Sequence, residues 1–397
     1  MLTKYLFKFY FMKKLILVFC IAASVASCKK TATGNQQEVD MPSIKLNNKV
    51  SNTPYNPYNP ILKNANTDFE IGVAINEGRF GNSLYTNLVK TQYNSITAEN
   101  QMKFGEIQAS QNSYTFGTDV TNFAKNNGIN RVHGHAIMWY NGVPAWVNNA
   151  GGNATGETRK QIYRSILYNH IYNVFSFYYT QKDSNGNPLV KSWDVANEAF
   201  NDNGTYRSNE TNVWAKELGA YDAVRLAFLY ARQIADDLGD TNLKLFYNDY
   251  GHEYSNAKAD AIFNMVNALK VIKSNNKPII DGVGLQMHTS NTRTVTGNTN
   301  SIEYGINKMA ATGLLVHISE LDIRLSGGTV GDQDYRWYNI PKLYRTLVPS
   351  AQRWGITLWN VGDSDNWQGT AVAATLYAPN TYAKKSAYTN FYKGLNE

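Results

Sequence analysis

Eight short apolar, β-rich segments recur along the chain at 69–75, 94–98, 131–138, 192–196, 243–247, 282–286, 315–319 and 355–359. Amphipathic stretches with helical spacing separate them, at 119–126, 159–177, 221–238, 257–273, 302–311 and 335–347, with a short one near 83–90 and a last one at 387–394. Apolar strands alternating with helices predict parallel βα units, since two adjacent parallel strands need a crossover between them. Eight such units predict an α/β fold of the (β/α)8 barrel type, with one catalytic domain over residues 67–397. A doubly wound open sheet is the alternative, but no Gly-rich phosphate loop follows the first strand.

In a (β/α)8 barrel, chemistry sits at the C-terminal ends of the strands. Here those ends carry Glu99-Asn100, the stretch from His135 to Trp139, Asn197-Glu198, Asn248-Asp249-Tyr250, His288, Glu320 with Asp322, and Trp359. Nearly all are polar or aromatic, where unselected strand ends would show more Gly, Ser and Pro. Two of them, Trp193-Asp194-Val195-Ala196-Asn197-Glu198 and His317-Ile318-Ser319-Glu320-Leu321-Asp322, are buried-type strands that stop at a carboxylate. Together they would set two acids on one barrel rim.

The N-terminal residues have a different character. Lys13-Lys14, the apolar run from Leu15 and the small residues Val25-Ala26-Ser27 before Cys28 read as a lipoprotein signal over residues 1–27, with lipid on Cys28 and either Met1 or Met12 as the start. The apolar run is too short for a permanent membrane span. Residues 28–66 contain a Tyr-Asn-Pro repeat without strand or helix periodicity and read as a flexible tether. The expected location follows: export across the inner membrane and lipid anchoring, at the outer membrane or cell surface. Cys20 and Cys28 are the only cysteines, so the domain after them has no disulfide and no Cys-ligated metal. The formal charge of +7 falls to +3 once Lys4, Lys8, Lys13 and Lys14, which precede every acidic residue, are set aside. With no later basic cluster, a nucleic-acid partner is not expected. The membrane is expected as a partner through the lipid anchor only, and the chain is expected to act as a monomer.

Retaining cleavage of a glycosidic bond needs two carboxyl groups about 5–5.5 Å apart, one to attack the anomeric carbon and one to protonate the leaving oxygen. Glu320 and Glu198 suit these roles on the seventh and fourth strands. An ionised Glu320 is expected to raise the pKa of Glu198 by repulsion and keep it protonated. Asn197 is placed to donate to a sugar 2-hydroxyl. His288 is placed to bond Glu320, with Asp322 orienting the ring. His288, Glu320 and Asp322 are also potential metal ligands, but no ligand spacing supports a metal, and Trp359 and Trp367 suit sugar stacking better.

These residues resemble glycoside hydrolase family 10, the retaining endo-β-1,4-xylanases, over roughly 68–395. The resemblance rests on Thr97-Ala98-Glu99-Asn100-Gln101-Met102-Lys103-Phe104, Gly134-His135 with Trp139, the two acid-ended segments, Tyr247-Asn248-Asp249-Tyr250, Gly284-Leu285-Gln286-Met287-His288, and Ile356-Thr357-Leu358-Trp359 with Asp363 and Trp367, all in one order. It implies Glu198 as acid/base and Glu320 as nucleophile. It further implies that Asn197, His135 and Lys103 contact the sugar to be cleaved, that Glu99 and Asn100 lie one unit further out, and that Trp359 forms a floor and Trp367 a lid. Trp139 and Tyr250 belong to the same substrate-binding set. No cofactor is implied. The chain departs from the family pattern at Tyr140, where His is usual, and at Gly142, where Gln is usual, although Pro144 and Trp146 fit. Three readings stay open: a xylanase, a retaining hydrolase of another β-linked polysaccharide admitted by Gly142, and a catalytically silent carbohydrate-binding lipoprotein.

Overall fold

The structure is a computed structural model that describes residues 60–65, 67–207 and 211–397. The expected signal, Cys28 and most of the expected tether lie outside the described residues. The tether's last residues are an exception to the expectation. A short 3-10 turn, Leu62–Asn64, packs on the barrel, with Leu62 fully buried and its N–H on Gln92 Oε1. The folded domain therefore begins before residue 66, because one apolar side chain in a Pro/Asn-rich stretch finds a buried niche.

Eight strands close a ring: β1 Glu70–Ile75, β2 Ser95–Ala98, β3 Arg131–Gly134, β4 Val190–Asn197, β5 Lys244–Asp249, β6 Gly282–Leu285, β7 Leu315–Arg324 and β8 Arg353–Leu358. Every neighbouring pair is parallel, and β8 pairs back onto β1. The helices that follow them are α1 Ser83–Gln92, α2 Asp119–Asn126, α3 Gly156–Tyr179, α4 Ala220–Asp237, α5 Asn256–Lys270, α6 Ile302–Ala310, α7 Val330–Leu347 and α8 Ser386–Asn396. The (β/α)8 expectation holds. Side chains at the helix starts stop the chain from fraying: Asn82 caps α1, Ser255 caps α5, Ser301 caps α6, and Thr329 with Asp332 forms a capping box on α7.

Some boundaries differ from expectation. The third strand stops at Gly134 rather than 138, and pairing resumes only as a two-residue bridge, Met138–Trp139, onto β4. Gly134 lies against the Trp193 ring, where a Cβ would come within 2.2 Å of ring carbon. The seventh strand runs on to Arg324, because a short strand after β6, His288–Ser290, pairs with its end. The fifth helix stops at Lys270, before a small hairpin of Lys273–Ser274 and Lys277–Pro278.

Two register breaks decide which side chains enter the barrel. In β4, Ser192 and Asp194 both point inward, onto His133. Plain alternation would bring in Ala196 next, but the register to β5 slips between Asp194 and Ala196, and Asn197 enters instead. In β7, the register to β8 slips between Ile318 and Leu321. As a result two consecutive residues, Ser319 and Glu320, both reach Asn248 of β5. A bulge that re-aims a side chain at a barrel rim is the physical device in both cases.

Candidate active site

Glu320 sits at the β7 bulge and is buried. Asn248 Nδ2 donates to its Oε1 at 2.7 Å, and His288 Nε2 lies 3.1 Å from its Oε2. The other His288 nitrogen, Nδ1, lies 2.8 Å from Asp322 Oδ2, as the sequence led us to expect. Asp322 also accepts from Trp367 Nε1 at 2.8 Å. Burial works against a charged His288, but Asp322 and then Glu320 outweigh it and raise its pKa well above the ordinary value. For Glu320, burial alone would push the carboxyl up. The His135 and His288 rings outweigh burial and hold it below the usual range. Glu320 is thus a carboxylate kept ionised.

Glu198 follows β4 directly, in the left-handed region with φ 56°. Its N–H donates to Asn248 O at 2.9 Å. A non-glycine residue held there is strained, and the surrounding bonds must keep it in place. Its Oε1 accepts from Gln286 Nε2 at 3.0 Å, and Arg207 NH2 lies 3.6 Å from its Oε2. Arg207 also donates from Nε to the Glu198 carbonyl at 2.7 Å and from NH2 to Tyr250 Oη at 2.9 Å, and its guanidinium lies 4.1 Å from the Tyr140 ring centre. The Glu198 pKa is raised. The direction matches expectation but the main cause does not. Burial comes first and the charge of Asp249 second, while Glu320 contributes less than either. Asp249, fully buried, holds Lys258 at 2.9 Å.

Three amides join the two acids. Asn197 Oδ1 accepts from Asn248 Nδ2 at 3.0 Å and from Gln286 Nε2 at 3.3 Å. Asn248 then reaches Glu320, and Gln286 reaches Glu198. With its carbonyl engaged twice, Asn197 turns its NH2 toward the Glu198 carboxyl, 3.4 Å from Oε1, so that group is the one left to donate to a sugar hydroxyl.

The remaining expected residues surround this pair. His135 is buried, with Nδ1 2.9 Å from Asp194 Oδ2. Its ring lies 5.5 Å from that of Trp359, which is buried like a floor. Trp367 is 55% exposed with its ring 5.1 Å from His288, like a lid. Lys103 Nζ bonds Asn100 Oδ1 at 3.0 Å and lies 5.4 Å from the Trp139 ring centre. Glu99 accepts from Asn76 at 3.3 Å, and burial raises its pKa. Tyr250 has one face against Lys258, 3.4 Å from the ring centre, and its hydroxyl on Arg207. Of the substitutions, Tyr140 stacks on Arg207, while Gly142 is exposed at φ 70°, with nothing within 4 Å of where a Cβ would stand. Asn248, Asp249, Gln286 and Asp194 stood in the segments read from the sequence but were given no role there, and Arg207 was not anticipated. Asn248, Asp249 and Gln286 lie at strand ends and offered a signal, but Arg207 sits in a loop nine residues past Glu198 and offered none.

Among the described residues, one group, His135, Asp194 and Glu320, brings potential ligand atoms within 4.8 Å of one another. Of the group expected from sequence, His288 commits both ring nitrogens to carboxylates, and its raised pKa makes it a poor ligand.

Two buried acids of opposite pKa shift at the C-terminal strand ends of a barrel, ringed by Trp, Asn and His, are the arrangement that glycoside hydrolases use. The chain belongs to glycosyl hydrolase family 10, whose model matches residues 61–393. It is 34% identical over 332 residues to endo-1,4-beta-xylanase B of Neocallimastix patriciarum, covering 83% of this chain but only 34% of that protein, so the chain spans about a third of that relative's length. Among solved structures, the intracellular xylanase TsXylA of Thermoanaerobacterium saccharolyticum superposes with a TM-score of 0.71 at 26% identity, over 85% of this chain and 99% of that one. A variant of xylanase10C from Cellvibrio japonicus in complex with xylopentaose superposes with a TM-score of 0.72 at 28% identity, over 86% of this chain and 70% of that one.

Proposed function

We propose that the chain is an endo-acting β-1,4-xylanase that works by double displacement. The observation that carries this reading is the opposite environment of the two acids: Glu320 held ionised by His135 and His288, and Glu198 held protonated mainly by burial. The Glu320 carboxylate attacks the anomeric carbon. The glycosidic C–O bond breaks, and Glu198 gives its proton to the departing oxygen. A glycosyl ester on Glu320 results. Glu198, now a base, takes a proton from water, whose oxygen attacks the same carbon and frees Glu320 with net retention. Asn197 donates to the 2-hydroxyl as charge develops at the anomeric carbon. Lys103, Asn100 and Glu99 hold the sugar chain on the non-reducing side, between the Trp359 floor and the Trp367 lid.

The relatives named as xylanases, and one captured with xylopentaose, support xylan as the substrate. The open space at Gly142 leaves room for a backbone sugar with an added hydroxymethyl group, so the test uses a panel. Reducing-sugar release with product sizing is measured on plain xylan, arabinoxylan, glucuronoxylan and a soluble β-glucan. Short xylo-oligosaccharides support the proposal. Activity on the glucan alone transfers the same residues to another β-linked polymer, and binding without turnover on any of them leaves a carbohydrate-binding protein.

The same proposal places the domain on a membrane through lipid on Cys28, which the residues from Lys13 to Cys28 support. Cys28→Ser should move the protein from the membrane to the soluble fraction and abolish incorporation of labelled palmitate. Membrane retention by that variant would refute the anchor.

A further inference from the structure

A cavity of about 620 Å³ lies outside the catalytic residues, on the N-terminal half of α3. Gln111, Asn112, Trp146, Gln161, Ser165 and Asn169 are among the residues that line it. The last three lie on one face of α3, since they recur every four residues. A smaller hollow of about 260 Å³ shares those three residues and adds Tyr168 and Tyr230. Beyond it, Tyr172 continues the same helix face.

Tyr168 and Tyr172 are 38% and 49% exposed, and their rings are nearly parallel, 6.4 Å between centres and 10° between planes. The Tyr230 ring stands edge-on to Tyr168 at 5.4 Å and steadies it. Two half-exposed tyrosine rings thus stand side by side on one helix face, with a third ring behind them. The two charged residues of the groove, Glu157 and Arg164, pair with each other, so the groove offers no unpaired charge to an ionic ligand. What it does offer is tyrosine rings beside amides and hydroxyls. Ring faces pack against the C–H faces of pyranose rings, and amides both donate to and accept from hydroxyls.

We infer that this groove is a second carbohydrate site, which holds an uncharged stretch of β-linked polysaccharide on the outside of the barrel while the cleft acts elsewhere on the same polymer. The choice of polymer rests on the proposed function, but binding is read without turnover. The test is affinity gel electrophoresis of the full chain, with soluble arabinoxylan or soluble β-glucan in the gel. The gel is run in the Glu320→Ala background, so the polymer stays intact and the cleft contributes equally in every variant. Tyr168→Ala/Tyr172→Ala should weaken retardation by roughly tenfold. Tyr168→Phe/Tyr172→Phe, which keeps the ring faces, should retain it, as should Tyr335→Ala, which removes an exposed tyrosine from α7. With Glu320 intact, hydrolysis of a short soluble aryl glycoside should be unchanged in all three. Retardation unaltered by the double alanine variant would overturn the inference. So would a change in its sedimentation from dimer to monomer without a change in retardation, which would assign the patch to a second copy of the chain. If no polymer is hydrolysed but one still retards the protein through Tyr168 and Tyr172, the xylanase reading fails while the second site stands.

Discussion

The two acids are the same residue type on the same barrel rim, yet their surroundings push them apart. Glu320 lies among donors: Asn248, and a His288 whose charge is held by Asp322. Glu198 is flanked by Asp249 at the end of β5 and receives only neutral amides, from Gln286 at 3.0 Å and Asn197 at 3.4 Å, with the Arg207 guanidinium 3.6 Å away. Burial raises both, and only on the Glu320 side do the neighbouring rings, His135 and His288, outweigh it. The lesson is that division of labour here is set less by repulsion between the acids than by what each strand end brings beside them.

The largest break in that comparison removes one acid at a time. Glu320→Ala should abolish turnover of every substrate. Glu198→Ala should cost about 10²–10⁴-fold on polymer but far less on an aryl glycoside whose leaving group needs no proton. Steady-state rates on both substrates check this, and equal losses on both for Glu198→Ala would contradict its role as acid.

A smaller effect is expected from the support around each acid. Loss of the imidazolium in His288→Gln should raise the Glu320 pKa and move the acid limb of the kcat/KM profile to higher pH. Gln286→Ala removes a donor that favours the charged form of Glu198, so the alkaline limb should also move up, by less. Movement of only one limb in each variant sharpens the comparison, and movement of both limbs in either one breaks it.

The smallest effect on activity is expected at Glu253, in the loop after β5. Burial pushes its carboxyl up to about 7. A raised folded-state pKa gives stability that is full below the unfolded value near 4.5 and is lost as pH rises through about 7. Glu253→Gln should therefore melt close to the parent at pH 4 and above it at pH 8, a gain of up to about 3 kcal/mol. A melting difference that does not grow with pH would contradict this.

The barrel was legible because eight apolar runs and their intervening helices are local patterns. The pair Glu198 and Glu320 was legible because acids at strand ends are visible in one dimension. What placed them was not. Side-chain alternation read from Ser192 and Asp194 puts Asn197 outside the barrel, and only the slip against β5 brings it in. The β7 bulge that aims both Ser319 and Glu320 at Asn248 likewise depends on a partner strand distant in sequence. Arg207 becomes a neighbour of Glu198 only when its loop folds back onto the Glu198 carbonyl. Leu62 looked like tether because burial of a lone apolar residue leaves no period to read.

The central claim is the opposite shift of the two acids, and the most direct measurement is carbon-13 NMR titration of glutamate carboxyls in the parent protein, with Glu198→Gln and Glu320→Gln to assign the two signals. The account predicts that Glu320 titrates below an ordinary glutamate and Glu198 above it, and that Glu198 still titrates high when Glu320 is replaced, since burial and Asp249 remain. A Glu198 that returns to the ordinary value in the Glu320→Gln protein, or a reversal of the two shifts, would contradict it.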